Sequence, residues 1–239
     1  MSDQTVTLPT HYKHHRTYLV DQNTANKCHL LRGNLPLEDD GSFAWAKLDA
    51  RLQELIGASF ELGEYTFLDV TLIDNQGEGT SFDAELRAFG IDPTSTANNW
   101  CTLWPPYFRG YDTKTIQGTE IEGNAAHKGG LVWWPVQPCD GTNSSCDNIE
   151  LKQFAFTDLI EYLNSLLNTK SKTIIYFHCM HGHDRTSAVT ASYLMKYKGS
   201  TLDEALKSPP PKGAYIDGFE WEGTYPDLVK WYNTNYVNQ

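Results

Sequence analysis

Between residues 43 and 60 apolar side chains recur every three or four positions. Trp45, Leu48, Leu52, Leu55 and Ile56 share one face, and the spacing predicts a helix. Residues 65–72 switch to a short apolar run carrying Phe67, Val70 and Thr71, which predicts a buried strand. A turn over 77–80 and a short helix over 82–89 follow. Residues 28–35 read as an early strand and turn, and residues 130–136 as another strand. A long apolar stripe then runs through Leu151, Phe154, Phe156, Leu159, Ile160, Leu163, Leu166 and Leu167. It predicts a helix directly ahead of a β-rich run at 173–177. Further helices are predicted over 185–198, 201–207 and 225–236. Thr201 and Glu204 have the spacing of a capping box, and the prolines at 209–211 end that helix. Strands alternating with helices predict an α/β fold, with a central, mostly parallel sheet flanked by helices. Ligands of such sheets bind beyond the C-terminal ends of the strands.

Two stretches break the pattern. Residues 1–27 read as a polar leader, with His11, His14, His15 and Arg16 clustered. Residues 90–128 are rich in Gly, Thr, Asn, Pro and aromatic residues and read as an insertion beside the active face. There, Trp100, Trp104, Tyr107, Phe108 and Tyr111 either line a cleft or anchor the loop. Arg109 and Lys114 are candidate phosphate contacts. The 239 residues fit one domain carrying this insertion.

Charge narrows the function classes. The chain carries 19 Lys and Arg against 30 Asp and Glu, a formal net charge of −11. Such a surface repels nucleic acid and anionic membranes, so no nucleic-acid partner is expected, and an anionic substrate needs a locally positive pocket. No apolar run reaches the length of a transmembrane helix, and the polar N-terminus lacks a signal peptide's apolar segment. The five cysteines, Cys28, Cys101, Cys139, Cys146 and Cys179, show no C-x2-C spacing. Cys139 and Cys146 bracket a loop and are close enough in sequence to pair, but in a reducing compartment free thiols are expected. The expected location is the cytoplasm, as a resident or as a delivered effector.

The densest chemistry lies at 174–187, where an apolar strand ends in His178-Cys179-Met180-His181-Gly182-His183-Asp184-Arg185-Thr186-Ser187. A strand that turns tightly into a helix directs successive backbone N–H groups inward, and the helix adds its positive end. This anion cradle favours thiolate at Cys179. Arg185 can return to the loop mouth and grip two phosphate oxygens with its planar fork. Gly182 allows positive φ or a close approach. Thr186 can donate its hydroxyl to the sulfur. A cysteine ending a buried strand is often only a small core hydrophobe, but here His, Cys, Gly, Arg and Thr coincide with a strand-to-helix switch.

This combination resembles the His-Cys-x-x-Gly-x-x-Arg-Ser/Thr signature of the cysteine-dependent tyrosine and dual-specificity protein phosphatases. The similarity extends from about residue 130 to residue 207. It implies a phosphocysteine intermediate, no cofactor and no metal, with Met180, His181, Gly182, His183 and Asp184 lining the substrate phosphate. A metal bound by Cys179, His181 and His183 would have to occupy the anion cradle of a tight turn, so none is expected.

Thiolate attack on a phosphate monoester also needs a general acid on a loop over the cradle. The resemblance implies an acid one helix ahead of the cysteine. Asp147, 32 positions before Cys179, suits this better than Asp140. The alternative role of either residue is that of a turn residue bonding its own backbone. Trp134-Pro135 continues with Val136, so the Trp-Pro-Asp loop of receptor-type tyrosine phosphatases is missing. Asp184 is expected to face outward, because a second negative charge beside phosphate is unfavourable. Asp184-Arg185-Thr186 resembles phosphoinositide phosphatases, yet their loop lysine is replaced here by Met180, His181 and His183. The expected substrate is therefore a phosphotyrosine or dual-specificity protein site. The alternatives are a phosphoinositide or inositol phosphate, or a phosphate-binding module without turnover.

Overall fold

The computed structural model describes residues 11–73, 78–89, 128–137, 155–207, 221 and 223–237. Five strands, β1 (Tyr18–Asn23), β2 (Cys28–Asn34), β3 (Thr66–Thr71), β4 (Lys128–Trp133) and β5 (Thr173–Cys179), form one sheet in the order β1-β2-β5-β3-β4. β2, β5, β3 and β4 run parallel, and β1 adds to the edge in antiparallel sense. The helices are α1 (Trp45–Ile56), α2 (Gly79–Ala88), α3 (Phe156–Thr169), α4 (Asp184–Lys198), α5 (Leu202–Lys207) and α6 (Tyr225–Tyr232). The α/β architecture is the one expected.

Burial explains why β5 takes the centre. Every residue from Thr173 to Cys179 is buried, as in a parallel strand covered on both faces. Ile174, Ile175, Tyr176 and Phe177 have no exposed surface. Each such side chain contributes roughly 1.5–3 kcal/mol through burial. The stripe on α3 faces this sheet, with Phe156, Leu159, Ile160, Leu163, Leu166 and Leu167 all buried. α4 is buried along Thr186–Tyr193, where Ser, Ala and Thr side chains allow close approach. The capping box forms: Glu204 accepts from the Thr201 N–H at 2.9 Å, and Thr201 Oγ1 accepts from the Glu204 N–H at 3.2 Å.

Three boundaries depart from expectation. Residues 18–23, inside the stretch read as a polar leader, form β1. Only Val20 is buried there, so this edge strand has little apolar signal. Where a turn was expected to run to residue 80, α2 already begins at Gly79, and residue 77 lies outside the described residues. The closing helix gives way after Tyr232 to a π-type turn over Asn233–Val237. The 90–127 part of the inferred insertion lies outside the described residues, as do Cys101, Cys139, Cys146, Arg109 and Lys114. Among the described residues no helix is long and apolar enough to cross a membrane.

Candidate active site

β5 delivers Cys179 to the C-terminal edge of the sheet at its centre, and α4 begins five residues later at Asp184. The connecting loop is held from outside by its carbonyl groups. The Leu35 N–H donates to the Met180 carbonyl at 3.2 Å, and the Ser187 N–H to that of His183 at 2.6 Å. Arg16 Nη1 donates to the His181 carbonyl, and Arg32 Nη2 to that of Gly182, both at 2.6 Å. His178 Nδ1 lies 3.2 Å from the carbonyl of Cys179. In a trans peptide the C=O and the following N–H point in opposite directions. Five carbonyls bound on the outside therefore turn the N–H groups of Met180, His181, Gly182, His183 and Asp184 toward the loop interior.

Gly182 makes this turn possible. Its φ is +70°, and a Cβ there would lie 2.6 Å from the Gly33 carbonyl oxygen. Both the conformation and the space exclude a side chain.

Cys179 sits at the base of the loop, 3% exposed. Burial alone would push its thiol upward. The charge of Arg185, the Thr186 hydroxyl, and the Thr186 and Gly182 N–H groups outweigh that and hold it below the ordinary thiol value. Thr186 Oγ1 donates to the sulfur at 3.1 Å. Cys28, buried without such neighbours, is pushed up to about 11.

Arg185 points back to the loop mouth. Nη1 and Nη2 meet the two carboxylate oxygens of Glu78 at 2.5 and 2.6 Å, and Nη1 also donates to the Leu72 carbonyl at 3.3 Å. Among the described residues, Nε–H and the second Nη2–H meet no acceptor. That edge is a second, unused fork of the same guanidinium. Burial would lower the Arg185 pKa, but Glu78 and Cys179 raise it above the ordinary value.

The substrate-lining residues expected from sequence are only partly side-chain groups. Met180 is buried with Cys179, so the backbone is what it offers the loop. His181 is exposed, and burial together with the charges of Arg16, Arg185 and Lys13 lowers its pKa. His183 is the residue before α4, and Asp184 opens the helix, both half-buried. Asp147 and Asp140 lie outside the described residues.

Several groups at the site were not anticipated. Arg16 and Arg32 brace the loop, and Glu78 orients Arg185. Tyr225, at the start of α6, borders the charges of Arg185, Cys179, Asp184 and Glu78, and burial pushes its hydroxyl up to about 12. Asp69 and Glu85 flank His178 below the loop at 3.0 and 2.9 Å. Only the last pair left a trace in the sequence. Asp69 interrupts an apolar strand, and Glu85 stands on the apolar face of Phe82, Leu86 and Phe89. The other contacts depend on how distant segments meet.

No protein-family profile matches the chain, and no relative is found among curated proteins. Among solved structures it is similar to TpbA of P. aeruginosa, at 15% identity over 92% of this chain and 91% of that one, with a TM-score of 0.40. It is also similar to Tk-PTP in its active form, at 14% identity over 92% and 97%, with a TM-score of 0.42. The Yvh1 phosphatase domain from Chaetomium thermophilum is similar at 12% identity over 91% and 95%, with a TM-score of 0.38. At such identities the chemistry has to be read from this chain's own residues.

Proposed function

We propose that the chain is a cysteine-dependent phosphatase that hydrolyses phosphate monoesters through a phosphocysteine intermediate. The observation that carries this reading is the loop of inward N–H groups around Cys179, with an unused fork of Arg185 at its mouth. That arrangement suits three phosphoryl oxygens held above a thiolate. Cys179 Sγ attacks phosphorus, and the bond from phosphorus to the ester oxygen breaks. The leaving oxygen takes its proton from Asp147. Water then attacks phosphorus and gives its proton to the Asp147 carboxylate. The P–S bond breaks, the thiolate is restored, and inorganic phosphate departs. Arg185 and the loop N–H groups hold the phosphoryl oxygens throughout, and Thr186 stabilises the sulfur as it leaves. The phosphocysteine chemistry calls for no metal or cofactor.

The preferred substrate is a phosphotyrosine or dual-specificity site on a protein, handled in the cytoplasm by a single phosphatase domain spanning residues 1–239. Lys13 and Arg16 beside the loop favour a second reading, a phosphoinositide or inositol phosphate with further anionic groups. The basic charge missing within the loop is supplied there by another segment. Turnover of a panel of phosphopeptides and phosphoinositides, alongside an aryl phosphate, separates the two. Binding of phosphate without turnover of any member would leave only the phosphate-binding module.

The acid is assigned by the behaviour of leaving groups. Asp147→Asn should cut kcat with phosphotyrosine, whose oxygen needs a proton, by about 10²–10⁴-fold. It should cut kcat much less with an activated aryl phosphate that leaves unprotonated. Asp140→Asn should change little. The reverse pattern would move the role to Asp140, and an effect in neither variant would place the acid elsewhere in the chain.

A further inference from the structure

Beneath the signature loop lies a charged cluster that the proposed reaction does not use. His178, Asp69 and Glu85 have no exposed side-chain surface. They come from three elements: β5, β3 and α2. His178 Nε2 is 3.0 Å from Asp69 Oδ1 and 2.9 Å from Glu85 Oε1. Its other nitrogen, Nδ1, faces the Cys179 carbonyl at 3.2 Å.

The partners set the proton count. A carbonyl can only accept, so Nδ1 carries a hydrogen. A neutral ring would then turn the Nε2 lone pair toward two carboxylate oxygens, an acceptor facing acceptors. An imidazolium removes the conflict, because both ring nitrogens donate. With both carboxylates ionised the cluster would still hold one net negative charge without solvent. Among the described residues Asp69 Oδ1 and Oδ2 and Glu85 Oε2 make no hydrogen bond, so Nε2 bonds Glu85 Oε1 and meets Asp69 Oδ1 as an ion pair alone. One proton shared between the carboxyl groups neutralises the cluster and supplies that donor.

The titration directions agree. Burial raises the Asp69 carboxyl and, with Glu85 adding to it against His178, brings it to about 7. Burial alone would lower His178, but Asp69 and Glu85 carry it well above its ordinary value. No other charged group faces the ring from the described elements packed against it. In β2 the residue in register is the uncharged Gly33, and Arg32 is turned to the Gly182 carbonyl and Ser187 Oγ. On β5 itself the nearest titratable ring is Tyr176, 5.6 Å away between centroids.

We propose that Asp69 and Glu85 are positioning residues that hold His178 as a buried imidazolium, which clamps the Cys179 carbonyl and favours the thiolate at the base of the loop. The proposal rests on reading Cys179 as the nucleophile. Asp69 and Glu85 touch neither substrate nor sulfur, and they act through His178. The cluster also ties α2 to the loop from below, while Glu78, the residue before α2, holds Arg185 from above. One short helix thus sets both the sulfur's surroundings and the arginine's aim.

The test uses the full chain and two readouts that need no turnover. The first is the ¹⁵N spectrum of the histidine side chains, with His178 assigned by its loss in His178→Gln. Both His178 nitrogens should remain protonated at pH 7–8. A neutral ring at that pH overturns the proposal. So does one equivalent of tightly bound metal in the purified protein, since the three ligand atoms lie within 4.8 Å of one another and a divalent cation would also balance the charge.

The second readout is the pH dependence of iodoacetamide alkylation at Cys179, followed by peptide mass spectrometry. Cys28 is the internal reference. Asp69→Asn and Glu85→Gln together leave no carboxylate to hold the imidazolium and should raise the Cys179 pKa by about one unit, the lower end of what losing an opposite charge does. Either change alone should raise it less, because the remaining carboxylate still pairs with the ring. Cys28 should be unchanged. Glu85→Asp should recover part of the shift. Folded variants that lose thermal stability but leave the Cys179 titration unchanged would reduce the cluster to packing and overturn the proposal. If the variants do not fold, the ¹⁵N measurement on the unaltered chain decides. Failure of the phosphatase reading would show separately, as absence of turnover while both His178 nitrogens stay protonated.

Stability should follow the same protons. Both Asp69 and His178 are raised on folding, so their contribution is full below the unfolded values and fades as pH rises. Asp69 loses its part between 3.8 and about 7, and His178 at higher pH. The melting temperature of Asp69→Asn should therefore approach that of the unaltered chain as pH rises.

Discussion

Cys179→Ser is expected to abolish turnover of an aryl phosphate while leaving binding of inorganic phosphate or vanadate intact. The serine hydroxyl is not ionised near neutral pH, and nothing in the loop can remove its proton as readily as the loop stabilises a thiolate. The expected loss in kcat is on the order of 10⁴-fold or more, the scale seen when other covalent enzymes lose their nucleophile. Binding should survive because the cradle does not depend on the sulfur. The outward ties of the loop run from Leu35, Arg16, Arg32, His178 and Ser187, and none uses the Cys179 side chain. Steady-state kinetics and calorimetric titration of the variant check both halves. Substantial turnover by the serine protein would sink the covalent mechanism, and loss of binding would mean that the loop had collapsed.

Arg185→Lys should lower kcat/KM by about 2–4 kcal/mol of transition-state stabilisation, roughly 30- to 1,000-fold. The charge is conserved, so the loss measures geometry. Arg185 uses one edge for Glu78 and the Leu72 carbonyl and keeps a second edge of two N–H groups. A lysine is a single point of charge on a flexible stem. Held by Glu78, it would present no planar fork to the phosphoryl oxygens. Reaching for the phosphate, it would give up the two-point contact with the Glu78 carboxylate. Near-normal kcat/KM in the lysine variant would show that Arg185 serves Glu78 and the loop rather than the substrate.

The two variants probe features of different legibility. The placement of Cys179, Arg185, Thr186 and Gly182 around one loop could be read from the chain because it is set by neighbours a few residues away. A strand followed by a five-residue turn and a helix constrains the path of the backbone locally. The positive φ of Gly182 and the Thr186 contact to sulfur follow from that path. The central strand was legible for a similar reason, since an unbroken apolar run can be buried only on both faces. β1 was not, because an edge strand exposes most of its side chains and needs no apolar alternation.

Arg16, Arg32, Glu78, Asp69 and Glu85 were beyond local reasoning. Arg16 bonds the loop across 165 positions, Arg32 across 150, and Glu78 meets Arg185 across 107. In sequence Arg16, Arg32 and Glu78 are ordinary charged residues with a solvated surface as their default, and Asp69 and Glu85 show only a charge among apolar positions, without its partner. What changes their meaning is parallel pairing, which sets β2 and β3 on either side of β5 in fixed register. Arg32 is thereby carried to Gly182, and Asp69 to His178. The sequence by itself determined where Cys179 stands and what kind of turn holds it, because those depend on local backbone geometry. Only the tertiary structure decided which charges surround that turn. A charge gains its role from the low-dielectric neighbourhood into which the sheet buries it, and that neighbourhood is assembled from segments a hundred residues apart.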